Sequence, residues 1–126
     1  MASTASAREP GIHRSRTWRA TATSGVALLV LVTVHMVAHH FVVEEVGGLR
    51  TYAQVLDYIA NPVMFVIECV FLVIVTAHAM LGLRSVLFDF GLSASARRRL
   101  ERGLLVLGIV TVAYGLTLIG VLASRA

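Results

Sequence analysis

Three long apolar runs separated by polar links organise the chain. They extend from about Ala20 to Val43, from about Pro62 to Leu87 and from about Leu104 to Ala123. Each reaches the roughly 20 residues that an α-helix needs to cross a hydrocarbon core about 30 Å thick. The pattern therefore predicts an all-α integral membrane protein with three transmembrane helices. Residues 1–17 lack an apolar core and read as a polar tail, and the run that follows is too long for a secretory signal peptide. Residues 18–126 then form a single three-helix membrane unit.

The links carry structure of their own. Leu49, Tyr52, Leu56 and Ile59 recur at helical spacing, so Leu49 to Ile59 reads as a short interfacial helix between the first two spans. Asn61 followed by Pro62 fits an N-cap and first helical residue for the second span. In the second link, Ser93 or Ser95 can cap a polar turn that leads through Arg97, Arg98 and Arg99 into the third span.

Composition sharpens this picture. The 126 residues are 57% hydrophobic, with mean hydropathy +0.81. A soluble domain of this size could not hide so much apolar surface, because small domains bury only about two-thirds of what the unfolded chain exposes. Lipid can. The net charge is +4, and all 11 basic residues are arginines. Arg8, Arg14, Arg16 and Arg19 precede the first span, and Arg84, Arg97, Arg98, Arg99 and Arg102 surround the second link. Only Arg50 and Arg125 lie on the other side. By the positive-inside rule the N-terminus is cytoplasmic and the C-terminus outside. Trp18 suits an interfacial anchor. Arginines that flank apolar runs do not form a nucleic-acid-binding face. Cys69 is the one cysteine, so no intrachain disulfide forms.

Candidate chemistry lies in the polar residues that lipid disfavours. His35, His39 and His40 fall in the outer half of span one, Glu68 near the outer end of span two, and His78 towards its inner half. Ionisable residues at such depths face the protein interior or a cavity and mark functional sites by default. A lone histidine there serves equally well as a hydrogen-bonding group between helices, and His40 suits a solvated interfacial role. Imidazole is an axial ligand for haem iron. His78, Gly82, Ser85 and Asp89 form one stripe, in which Gly82 admits either a planar group or a neighbouring helix. Gly108, Thr111 and Gly115 form a small-residue packing stripe on span three. Zinc-ligand spacing, a phosphate-cradling loop, a nucleophile–base pair and the CxxCH of covalent haem are all absent.

The segment from His78 to Phe90 resembles the second helix of the D-type hydrophobic anchor subunit of succinate dehydrogenases, in which a haem-ligating His is followed by Gly four residues on and by an Asp-Tyr pair at the helix end. Ser24-Gly25 with His35 eleven residues after the serine resembles the first helix of that family. The resemblance spans roughly residues 18 to 123. It implies that His78 is an axial ligand of haem b shared with a companion anchor subunit, and that His35 ligates a second, distal haem. Haem would number one or two per protomer, with two ahead. Arg19, Gly82 and His39 fall beside haem or its propionates; His39 is alternatively a partner for Glu68.

The same resemblance puts Asp89, Phe90 and Arg84 in the neighbourhood of a quinone. Phe90 stands where the family has tyrosine, keeping the ring and losing the hydroxyl. The implied partners are a second membrane anchor subunit, an iron–sulphur subunit, a flavoprotein subunit, quinone and lipid, in the plasma membrane of a prokaryote. The chain alone would not be catalytic; it would help pass electrons from the iron–sulphur subunit to quinone. The alternative is a non-redox scaffold or assembly subunit whose histidines only join helices.

Overall fold

A computed structural model describes residues 16–41 and 51–126 of the chain. They form four helices: α1 (Arg16–Phe41), α2 (Tyr52–Ala60), α3 (Pro62–Phe88) and α4 (Ala94–Ala123). Three helical stretches, Arg16–Ala38, Pro62–Phe88 and Ala94–Ala123, are long and apolar enough to cross a membrane. The 27 residues of α3 and the 30 of α4 extend about 40 and 45 Å at 1.5 Å per residue. Both exceed the roughly 30 Å hydrocarbon core, so polar ends or tilt must take up the remainder.

Local chemistry explains the breaks. Asn61 accepts from the backbone N–H groups of Val63 and Met64, and Pro62 opens α3 where a missing N–H costs nothing. Ser93 accepts from the Ala96 N–H and starts α4, which continues unbroken through the arginine cluster into the apolar run. The expected polar turn before span three is thus helix from Ala94 onwards. Between α3 and α4 the chain reverses through Gly91, whose φ of +70° favours glycine.

The short helix α2 opens with a reciprocal capping box between Thr51 and Gln54. Its buried residues are Tyr58 and Ile59, whereas Tyr52 is exposed. The docking face keeps Ile59 and half-buried Leu56 of the sequence stripe but takes Tyr58 in place of Tyr52, because Tyr58 carries its hydroxyl inwards to a polar partner. Leu49 lies outside the described residues.

α3 is the central element. It packs with α1 and with α4, whose backbones stay apart from each other among the described residues; α2 closes one end against α3 and α4. Ala38, Tyr58 and Ile59 form the buried cluster at that end, joined by Met64, Phe65, Ile119 and Leu122. Elsewhere large apolar side chains face outwards, among them Leu29, Val66, Leu105 and Ile109, as befits a chain whose solvent is lipid.

Small residues let α4 approach α3. A Cβ placed on Gly115 would stand 2.5 Å from one Leu72 methyl and 3.1 Å from the other, and one on Gly108 would stand 3.3 Å from Met80. The close approach maximises dispersion contacts, which drive helix association where no hydrophobic effect operates. Thr111, the third member of the stripe, is exposed. Gly115→Val should destabilise the α3–α4 packing by about 1–3 kcal/mol, seen as a lower thermal midpoint of the purified protein. Leu72→Ala in the same chain should restore most of it. Gly120→Ala, where nothing lies within 4 Å of the added methyl, should have little effect; equal losses at both glycines would refute the packing argument.

Candidate functional site

The polar residues that α1 and α3 bring into the membrane meet at two levels. At the level nearer the arginine-rich end, Ser24 Oγ lies 3.0 Å from His78 Nδ1. The same hydroxyl lies 3.0 Å from the Thr21 carbonyl, to which it donates. A hydroxyl has one proton. When that proton goes to Thr21, Ser24 accepts from the ring, and His78 then has its proton on Nδ1 and its lone pair on Nε2. Gly25, next to Ser24, lets the imidazole come close: a Cβ there would stand 3.3 Å from His78 Cε1.

One turn further along α3, a Cβ on Gly82 would meet nothing within 4 Å. Among the described residues no neighbouring helix meets this position. Asp89 caps the C-terminus of α3, and Asp89 and Phe90 are both exposed. Arg19 is exposed on α1, about 7.5 Å along the axis from Ser24 towards the same end.

At the second level, His35 Nδ1 lies 2.8 Å from Glu68 Oε1. The Tyr58 hydroxyl donates to that same oxygen at 2.6 Å, and the Phe71 ring stacks on the imidazole with centroids 5.1 Å apart. Three helices thus converge on one carboxylate. A neutral imidazole that gives its Nδ1 proton to a carboxylate keeps its lone pair on Nε2, as at metal-bound histidines. His40 is exposed, and the His39 side chain lies outside the described residues.

The two levels share one antiparallel register. Ser24 and His35 are eleven residues apart on α1, and His78 and Glu68 ten apart on α3, so about 15 Å separates the levels along the helix axes. Sequence reasoning missed Ser24 as the partner of His78 and Tyr58 as the partner of Glu68. The matched ten- and eleven-residue spacings on two antiparallel helices were the available signal.

Arg84 pairs across to α4. Its Nε and Nη2 donate to Glu101 Oε1 at 3.0 and 2.7 Å, and its guanidinium lies 4.2 Å from the centre of the Phe88 ring. Arg97 approaches the same ring at 5.0 Å. Six residues separate Arg84 from His78, which turns the two about 120° apart around α3: one faces α4, the other α1. Among the described residues no three His, Cys, Asp or Glu side chains gather as a metal-ion cluster.

Residues 8–117 match the family of succinate dehydrogenase/fumarate reductase transmembrane subunits. The succinate dehydrogenase hydrophobic membrane anchor subunit of Thermoplasma acidophilum is 27% identical over 106 residues, covering 84% of this chain and 84% of that protein. No solved structure matches.

Glu68→Ala should be the costliest change at the second level, because it leaves the Tyr58 hydroxyl and the His35 Nδ1–H without their acceptor. A loss of about 1–3 kcal/mol is expected from the unsatisfied groups. Tyr58→Phe, which removes one bond and leaves the carboxylate held by His35, should cost about 0.6 kcal/mol. Thermal unfolding of the single and double variants checks the coupling; strict additivity would mean that the contacts act independently.

Proposed function

The chain belongs to the family of succinate dehydrogenase/fumarate reductase transmembrane subunits and is a membrane anchor subunit of that kind, and from this premise we propose that it binds haem b through His78. The observation that carries the proposal is the Ser24–His78 contact. With the Ser24 proton on Thr21, the contact holds the ring with Nδ1–H donating inwards and leaves Nε2 its lone pair, the form an axial ligand needs. The open space beside Gly82 supports the fit, since a planar macrocycle needs a neighbour without a side chain. Gly25 contributes by letting the imidazole sit against α1, and Arg19 at the same end offers a cation for a propionate.

When bound, the haem supplies reversible one-electron chemistry at that depth. The chain's own part is to hold the ring plane, fix its tautomer and keep water from the ligating nitrogen. A companion anchor subunit would supply the other ligand to that haem, with an iron–sulphur and a flavoprotein subunit completing the assembly. Quinone is the electron acceptor in this reading, near Asp89 and Phe90 at the exposed end of α3. Arg84, engaged by Glu101, serves that site only if it leaves the ion pair.

The reading extends to a second haem on His35. What favours it is the Glu68 carboxylate on Nδ1, which orients the imidazole as second-shell carboxylates orient metal-bound histidines. The non-redox alternative, in which both histidines only tie helices together, predicts no chromophore at all.

A reduced-minus-oxidised optical spectrum of the purified complex, with haem counted per protomer, tests the set. His78→Ala should abolish one b-type component while succinate oxidation with an artificial acceptor persists. Ser24→Ala should retain that component but weaken haem retention about 10–100-fold, the usual cost of losing a partner that orients a ligating histidine. His35→Ala should remove a second component; a wild-type complex with one haem per protomer would restrict His35 to its contact with Glu68. An intact complex without any b-type band would overturn the haem proposal.

A further inference from the structure

The face of α3 turned away from His78 forms, with α4, an open cleft of about 730 Å³. Its walls are apolar, with Val73, Met80, Leu105, Ile109 and Leu116 among the lining side chains, and the Arg84–Glu101 pair stands at one end. Gly108 and the buried Thr76 form its floor. From Leu104 to Leu116 the cleft extends along about 18 Å of helix, close to the depth of one leaflet, half of a hydrocarbon core about 30 Å thick.

The polar end is unevenly charged. Arg98, Arg102, Leu105 and Ile109 follow i, i+4, i+7 and i+11, so two exposed arginines stand on the same stripe of α4 as the cleft wall. Arg84 adds a third cation, and Glu101 is the one acid lining the cleft. Net positive charge at the mouth and a purely apolar channel one leaflet deep together describe one kind of molecule. We propose that the α3–α4 cleft is a binding site for an anionic phospholipid, with an acyl chain lying between Met80 and Ile109 and the phosphate held by Arg98 and Arg102. The cleft lies about 120° around α3 from His78, so on the haem reading above the companion subunit occupies the other face and the cleft opens to lipid. A quinone tail would also suit the channel, but the cations at its mouth match a phosphate rather than a neutral carbonyl ring.

Native mass spectrometry of the intact complex tests the site. The complex is stripped in detergent and titrated with dioleoyl phosphatidylglycerol or, separately, dioleoyl phosphatidylcholine. One phosphatidylglycerol per copy of this chain should bind in preference to phosphatidylcholine. The Arg98→Gln/Arg102→Gln double variant should weaken that binding roughly 30-fold, and Arg98→Lys/Arg102→Lys should retain most of it, since lysine also binds phosphate as a point charge. Ala113→Trp, which fills the cleft wall, should exclude the lipid in a complex whose haem spectrum is unchanged; that spectrum reports the His78 site separately. Equal binding of both lipids, or wild-type lipid binding by the glutamine variant, would overturn the proposal. So would a cysteine at Ile109 that crosslinks to the companion subunit, co-purification of quinone in place of phospholipid, or release of the soluble subunits from the glutamine variant with lipid binding intact.

Discussion

Two hydrogen-bonded contacts between α1 and α3, Ser24 with His78 and His35 with Glu68, set the constraint on which the rest of the arrangement depends. Helices in a bilayer gain little from hiding apolar faces from each other, because lipid tails are as apolar as leucine. A polar group left facing hydrocarbon, by contrast, costs several kcal/mol. The two contacts therefore decide which face α1 presents, how far it slides along α3 and in which direction it runs. A displacement of one turn would break both at once. Dispersion between smooth apolar surfaces could not supply such discrimination.

On the other side of α3 the constraint is steric. Gly108 and Gly115 admit Met80 and Leu72, and α4 settles where the backbone comes closest. The central helix is thus held by chemistry on one face and by shape on the other. The polar face carries the two histidines, and the shape-complementary face carries an apolar cleft with the Arg84–Glu101 pair at one end. Tyr58 links the two regimes: α2 buries its ring with Ile59 and Ala38 in an apolar cluster, and places its hydroxyl on Glu68.

Much of the fold was legible in the sequence, because the membrane imposes a length rule and arginine marks the ends. The N-caps at Asn61 and Ser93 were readable for the same local reason, a side-chain acceptor within reach of free N–H groups. Pairing between helices was harder to read. Ser24 marks His35 in the sequence resemblance, yet its side chain meets His78, because an antiparallel helix brings residue 78 to the depth of residue 24. The docking face of α2 shows the same limit: periodicity offers Tyr52, and the tertiary acceptor at Glu68 selects Tyr58. The partner of Arg84 is set in the same way, because its helical phase turns it towards Glu101 on α4. Local patterns thus specify elements, while partner identity depends on where two elements fall relative to each other.

The tight reversal at Gly91 bears on the order of assembly. Only Asp89 to Ser93 separates α3 from α4, so their contacts close a very short loop. The link from α1 to α3, residues 42–61, is about four times as long, and closing it costs about 1 kcal/mol more in chain entropy. Chain entropy therefore favours an α3–α4 hairpin before α1 docks. Until it does, one side of the His78 imidazole has no wall. The helix that fixes the tautomer is then also the last door to shut, and anything that must sit beside His78 has its widest opportunity to enter before Ser24 arrives.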